Sequence, residues 1–129
     1  MQILTQLSVF ITNKPGVLGK VASALAKNGI NILAISISDT VDHSVVRLIV
    51  DRPKKAVALF EEGGSLVIEN EVLAIDLSNQ PGMLAKVAQR LAKAKINIEN
   101  VYGTTQPEES QSLVVFRVAD PRRALKILR

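Results

Sequence analysis

Leu7, Val9 and Ile11 alternate with Ser8, Phe10 and Thr12, the period of a strand with one face buried. Pro-Gly punctuation follows, and Pro15 fits the first position of a helix, where a missing N–H costs nothing. Leu18, Val21, Ala22 and Leu25 then recur at the spacing of one helix face, and Asn28-Gly29 supplies the stop. Ile30 to Ile37 is β-branched and apolar, a second strand. Asp39 to Ser44 reads as a polar turn, and Val45 to Val50 as a third strand. Asp51-Arg52-Pro53 opens a helix through Phe60, stopped by Gly63-Gly64, and Leu66 to Ile68 is a short last strand.

The pattern then begins again. Asn13-Lys14-Pro15-Gly16-Val17-Leu18 returns 66 positions later as Asn79-Gln80-Pro81-Gly82-Met83-Leu84. The same offset carries Lys20-Val21-Ala22 onto Lys86-Val87-Ala88, and Ile30-Asn31-Ile32 onto Ile96-Asn97-Ile98. The second copy predicts a strand over Val72–Leu77, a helix over Pro81–Ala94 and a strand over Ile96–Thr104. A turn through Pro107 to Ser110, a strand over Ser112–Val118 and a helix from Pro121 to the end follow. The expected units are 1–69 and 70–129. Each is a βαββαβ order, which folds as an antiparallel sheet with both helices on one face, the ferredoxin-like α+β class. The second unit lacks its last strand.

Two expectations about assembly follow from strand order. The second strand of a ferredoxin-like sheet lies at an edge, and the short link Glu69–Glu71 cannot bring both such edges together within one chain. Second-strand edges are therefore expected to pair between chains, as a homodimer. Within the chain, Leu66–Ile68 is expected to turn at Glu69-Asn70 and lie beside Val72–Leu77, filling the vacancy in the second unit. Glu-Asn lacks the glycine that a tight hairpin prefers.

Composition narrows the function. The chain has 129 residues, of which 47% are hydrophobic, enough for a core. It has no cysteine and one histidine, His43, which excludes thiol nucleophiles, thiolate metal sites and multi-histidine sites. Aromatics are 3% and the net charge is +4, which argues against base-stacking nucleic-acid binding. No stretch approaches the ~20 apolar residues of a membrane span. Met1-Gln2-Ile3-Leu4-Thr5 does not read as a signal peptide, so a cytoplasmic location is expected. Nothing resembles a nucleophile–base pair, a paired-carboxylate cleft or a phosphate-cradling glycine loop; no enzyme activity, cofactor or metal is expected.

The candidate chemistry sits at the two Asn-x-Pro-Gly loops. A helix start leaves N–H groups unpaired and favours a carboxylate. Glycine there permits close approach, and Asn13 and Asn79 both donate and accept, so each suits a zwitterion. Asn-x-Pro-Gly is equally good turn chemistry. Val17 and Met83 fall off the predicted buried stripe, so their side chains are expected to touch a ligand or a neighbouring unit.

A strand, then Asn-x-Pro-Gly-x-Leu, then Gly-Ile-Asn-Ile resembles the ACT domain, in tandem over essentially the whole chain. Lys95 departs from the pattern, standing where the first copy has Gly29. ACT domains are regulatory modules that bind small ligands, most often amino acids. The resemblance implies a non-catalytic amino-acid sensor, with ligand-binding residues Asn13, Pro15, Gly16, Val17, Leu18, Asn31 and Ile32. In the second copy it implies Asn79, Pro81, Gly82, Met83, Leu84, Asn97 and Ile98. By residue chemistry alone Asn31 and Asn97 fix local hydrogen bonds. The alternative is a regulatory subunit that docks on a metabolic enzyme; the first copy also looks like the regulatory subunit of acetohydroxyacid synthase.

Overall fold

The computed structural model describes residues 1–39, 43–78, 80–104 and 111–129. In chain order the elements are β1 (Gln2–Thr12), α1 (Val17–Lys27), β2 (Ile32–Asp39), β3 (His43–Val50), α2 (Pro53–Glu62) and β4 (Leu66–Ser78). Then come α3 (Met83–Lys93), β5 (Ile98–Gly103), β6 (Gln111–Val118) and α4 (Pro121–Leu128). Two compact units result: Thr5–Asn70, and Met1–Leu4 together with Glu71–Arg129.

In the unit Thr5–Asn70 the strand order is β2-β3-β1-β4, the ferredoxin-like order. Leu7 pairs with Leu48 and Val9 with Val46 across β1 and β3. The core on the helix face gathers Leu7, Val9, Leu25, Val46, Leu48 and Phe60. Each is at most 5% exposed, and burial of such a side chain stabilises by roughly 1.5–3 kcal/mol.

The unit of Met1–Leu4 and Glu71–Arg129 repeats the plan with order β1-β4-β6-β5. Leu73 faces Phe116, and the core gathers Leu73, Ile75, Leu91, Phe116 and Leu128. Even the irregularities repeat. A register shift falls between Ile32 and Ala34 in β2, and between Ile98 and Asn100 in β5. In each unit a cation from the second helix caps the first: Lys55 Nζ donates to the Asn28 carbonyl (2.6 Å), and Arg123 to the Ala94 carbonyl (2.8 Å).

Three expectations are corrected. β4 is one continuous strand through Glu69-Asn70, so Leu66–Ile68 does not fold back on Val72–Leu77. The link lacks the glycine that a tight hairpin prefers, and its backbone stays extended. The vacancy in the second unit is taken by the first residues of the chain: β1 begins at Gln2, lies next to β4, and Ile3 packs on that unit's core. Second, α1 starts at Val17 and α3 at Met83, two residues after their prolines. Third, the buried stripe is displaced. Leu18 is 39% exposed and Ala22 is exposed, while Val17, Val21, Ala24 and Leu25 turn inward. Leu84 is likewise 50% exposed, while Met83, Val87 and Leu91 turn inward. Val17 and Met83 are thus half-buried members of the stripe. His43 opens β3 opposite Thr12 and is exposed; the central turn residues 40–42 and the predicted turn Pro107–Ser110 lie outside the described residues.

Candidate functional site

Both Pro-Gly pairs form the centre of a type II turn. Gly16 has φ 86 and ψ −13, and the Val17 N–H donates to the Lys14 carbonyl at 3.3 Å. Gly82 has φ 88 and ψ −6, and the Met83 N–H donates to the Gln80 carbonyl at 3.4 Å. Proline presets the first central residue of this turn and glycine alone adopts the second without strain. The turn glycines thus have a backbone reason. They also leave room: among the described residues, the glycine and its chain neighbours aside, no atom lies within 4 Å of where a Cβ would stand at either.

The glycine is the N-cap residue of each helix, and no side chain among the described residues caps α1 or α3. The first helical bonds run from Lys20 to the Gly16 carbonyl and from Lys86 to the Gly82 carbonyl. Asn13 is exposed at the end of β1; Asn79 lies outside the described residues.

In the unit Glu71–Arg129 the turn borders a cleft of about 310 Å³. Gln80, Met83 and Leu84 form one side, and Val101, Tyr102, Gly103 and Thr104 at the end of β5 the other. No charged side chain lines it among the described residues, while hydroxyls of Ser78, Thr104 and Ser112 do. Its size is within the range of small-molecule sites. Tyr102, Gly103 and Thr104 were not among the expected site residues. Gly103 carried a signal, a lone glycine within a strand pattern. A Cβ there would lie 2.8 Å from the Leu113 carbonyl oxygen, so β5 and β6 meet closely at the cleft.

In the unit Thr5–Asn70 a cleft of about 560 Å³ opens on the other flank of the helix, between α1 and α2. Of the expected site residues only Val17 lines it.

The strand-opening residues are elsewhere. α1 is eleven residues long, about 16 Å, and Asn31 and Ile32 lie beyond its far end. The Asn31 backbone exchanges two hydrogen bonds with Asp51: its N–H donates to the side-chain Oδ1 (2.9 Å) and its carbonyl accepts from the Asp51 N–H (3.1 Å). Ile32 and Ile98 pack on the cores of their units, and Asn97 is exposed. Within one unit, then, Asn31 and Ile32 are not brought to the turn at Gly16, nor Asn97 and Ile98 to the turn at Gly82.

One edge of each unit is apolar. β2 ends the strand order, and Leu33, Ile35 and Ile37 on it are 44–49% exposed, with Leu18 on the helix 39%. β5 is the corresponding edge of the other unit, with Val101 41% and Leu84 50% exposed.

Among the described residues no group of histidine and carboxylate side chains gathers to hold a metal, and no helix is long and apolar enough to cross a membrane.

Two ferredoxin-like units in tandem, each opening its first helix at a Pro-Gly turn, define the class of fold. The chain belongs to the ACT domain pair family, whose model matches residues 1–129. Protein BT0572 from Bacteroides thetaiotaomicron is 32% identical in sequence. Its crystal structure has a TM-score of 0.91, over 98% of this chain and 86% of that one. The ligand-free regulatory subunit of aspartate kinase from Thermus thermophilus shares the fold at 20% identity. Its TM-score is 0.74, over 99% and 95% of the two chains. The corresponding subunit from Thermus flavus gives 20% identity and a TM-score of 0.66, over 98% and 93%. No curated protein matches the chain.

Proposed function

We propose that this chain is a non-catalytic regulatory protein that binds an amino acid at its Asn-x-Pro-Gly turns. Each site is completed by the strand edge of a second copy. The observation that carries the reading is the separation of the two halves of the motif within a unit, together with an apolar strand edge beside each turn. Two edges that pair antiparallel across a twofold axis place the start of one strand against the end of its partner. That brings Asn31-Ile32, or Asn97-Ile98, of one copy next to a turn of the other. The exposed Leu33, Ile35 and Ile37 would be covered at the same time.

The division of labour follows from chemistry. Uncapped N–H groups at the turn receive the carboxylate, and asparagine side chains meet both carboxylate and ammonium. The hydroxyls and the apolar wall of the 310 Å³ cleft meet the ligand's side chain. Regulatory subunits of aspartate kinase share this fold, which supports a role in amino-acid-responsive control of an enzyme. Docking on an enzyme such as acetohydroxyacid synthase, with or without a ligand, is the second reading, and the same apolar edges favour it.

Light scattering with calorimetry tests the proposal. A dimer is expected, and Ile35→Asp combined with Val101→Asp, one charge on each apolar edge, should yield monomers that lose amino-acid binding. Monomeric wild-type protein, or the double variant binding as tightly as wild type, would refute the composite site. A stoichiometric enzyme partner recovered with ligand-free protein favours the second reading.

A further inference from the structure

The 560 Å³ cleft between α1 and α2 shares only Val17 with the expected residues of the site proposed above. Part of its wall is apolar, with Val21, Ala24 and Leu59 half-buried and Phe60 buried, and part is polar, from Thr12, Gly63, Gly64 and Ser65. Val21 and Leu59 pack on the core and still present apolar surface to the opening. At the rim stands Lys20, the only charged residue among the described ones that lines the cleft. Among the described residues its ammonium has no hydrogen-bond or ion-pair partner.

The repeat shows that this opening is particular to one unit. Positions of α1 recur 66 residues later in α3, and positions of α2 recur 68 later in α4, as Leu7–Leu48 and Leu73–Phe116 establish. Ala24 therefore corresponds to Arg90, and Leu59 and Phe60 to Ile127 and Leu128. Arg90 spans the equivalent gap in its own unit: its guanidinium donates to the Leu128 carbonyl (3.1 Å) and the Ile127 carbonyl (2.5 Å). Alanine leaves the gap between α1 and α2 unfilled.

We infer that this cleft is a second ligand site, for a monocarboxylic acid with an aliphatic or aromatic body. Lys20 takes the carboxylate, and Thr12 and Ser65, which also line the cleft, carry hydroxyls that can donate to it. The body covers the half-wet apolar walls. Among the described residues no carboxylate side chain lines the cleft to receive an ammonium, so an acid without an α-amino group fits better than an amino acid. This separates the site from the turn sites.

The test is titration of the full chain with octanoate and with phenylpropionate, followed by amide NMR. Saturable shifts are expected at Val21, Ala24, Leu59 and Gly64. Lys20→Met, which keeps the aliphatic stem, should weaken binding about tenfold. Ala24→Arg copies the sibling unit's own plug and should abolish binding while the protein stays folded. Should Ala24→Arg unfold, Ala24→Leu reads the same occlusion. No saturable shift at these amides, or unchanged affinity in either the lysine or the plug variant, overturns the assignment. Asn13→Ala leaves this binding unchanged even if amino-acid binding is lost.

Discussion

Lys95 and Gly29 make a reciprocal experiment that the repeat has already set up. Each follows the first helix of its unit, and both helices end in the same motif. The Ile30 N–H donates to the Leu25 carbonyl (3.0 Å) and the Gly29 N–H to the Ala26 carbonyl (3.1 Å). In the sibling the Ile96 N–H donates to the Leu91 carbonyl and the Lys95 N–H to the Ala92 carbonyl, both at 2.9 Å. The motif demands a left-handed residue, and φ is 68 at Gly29 and 60 at Lys95. A non-glycine residue there costs ~1–2 kcal/mol. Glycine offsets part of the gain because it loosens the unfolded chain by about 0.4–1 kcal/mol. Lys95→Gly should therefore stabilise by about 0.5–1 kcal/mol, and Gly29→Ala should destabilise by about 1 kcal/mol. Lys95→Gln is the control for charge, since it keeps the backbone cost and removes the ammonium; it should lie within about 0.5 kcal/mol of wild type. Urea titration followed by circular dichroism reads the global values, and amide exchange at Ile96 and Ile30 reads the helix ends. Lys95→Gly that destabilises, or Gly29→Ala that is neutral, would refute the backbone argument.

Gly16→Ala and Gly82→Ala place a side chain at φ 86 and φ 88 and should each cost ~1–2 kcal/mol, read as a fall in unfolding midpoint. Valine, being β-branched, should cost more, so only variants shown to be folded inform on ligand clearance. Ile3→Ala should cost about 1–2 kcal/mol and speed amide exchange in the Glu71–Ser78 half of β4 more than in β3, because Ile3 packs on the second unit's core. Asp51→Ala removes the acceptor of the Asn31 N–H and should cost about 1 kcal/mol, seen as faster exchange of that amide.

The repeat, both hairpins and the helix stops were legible because glycine, proline and period are local signals. The phase of the first helix was not. Val17, Leu18, Val21, Ala22, Ala24 and Leu25 are all apolar, so two stripes fit equally well, and the turn that launches the helix from Val17 selects one. The missing strand was misplaced for a different reason. Glu69-Asn70 had no glycine for a tight hairpin, which favours continuation, while Ile3 at the start of the chain shows its role only when a distant core is known. At the candidate site the turns were readable and their partners were not. Sequence proximity joins Asn31 to the motif, whereas the length of α1 holds it at the other end of the unit. Arg90 against Ala24 was visible as a difference between copies, yet its meaning needed the carbonyls of Ile127 and Leu128.

The central claim is that the chain senses an amino acid, and thermal unfolding against the panel of amino acids tests it most directly. A cognate ligand at a hundredfold its Kd should add about 2.7 kcal/mol. For a chain of this length that raises the midpoint by roughly 5–15 °C, for one amino acid or a few related ones, with the shift lost when Asn13→Ala and Asn79→Ala are combined. A midpoint that no amino acid moves would contradict the account.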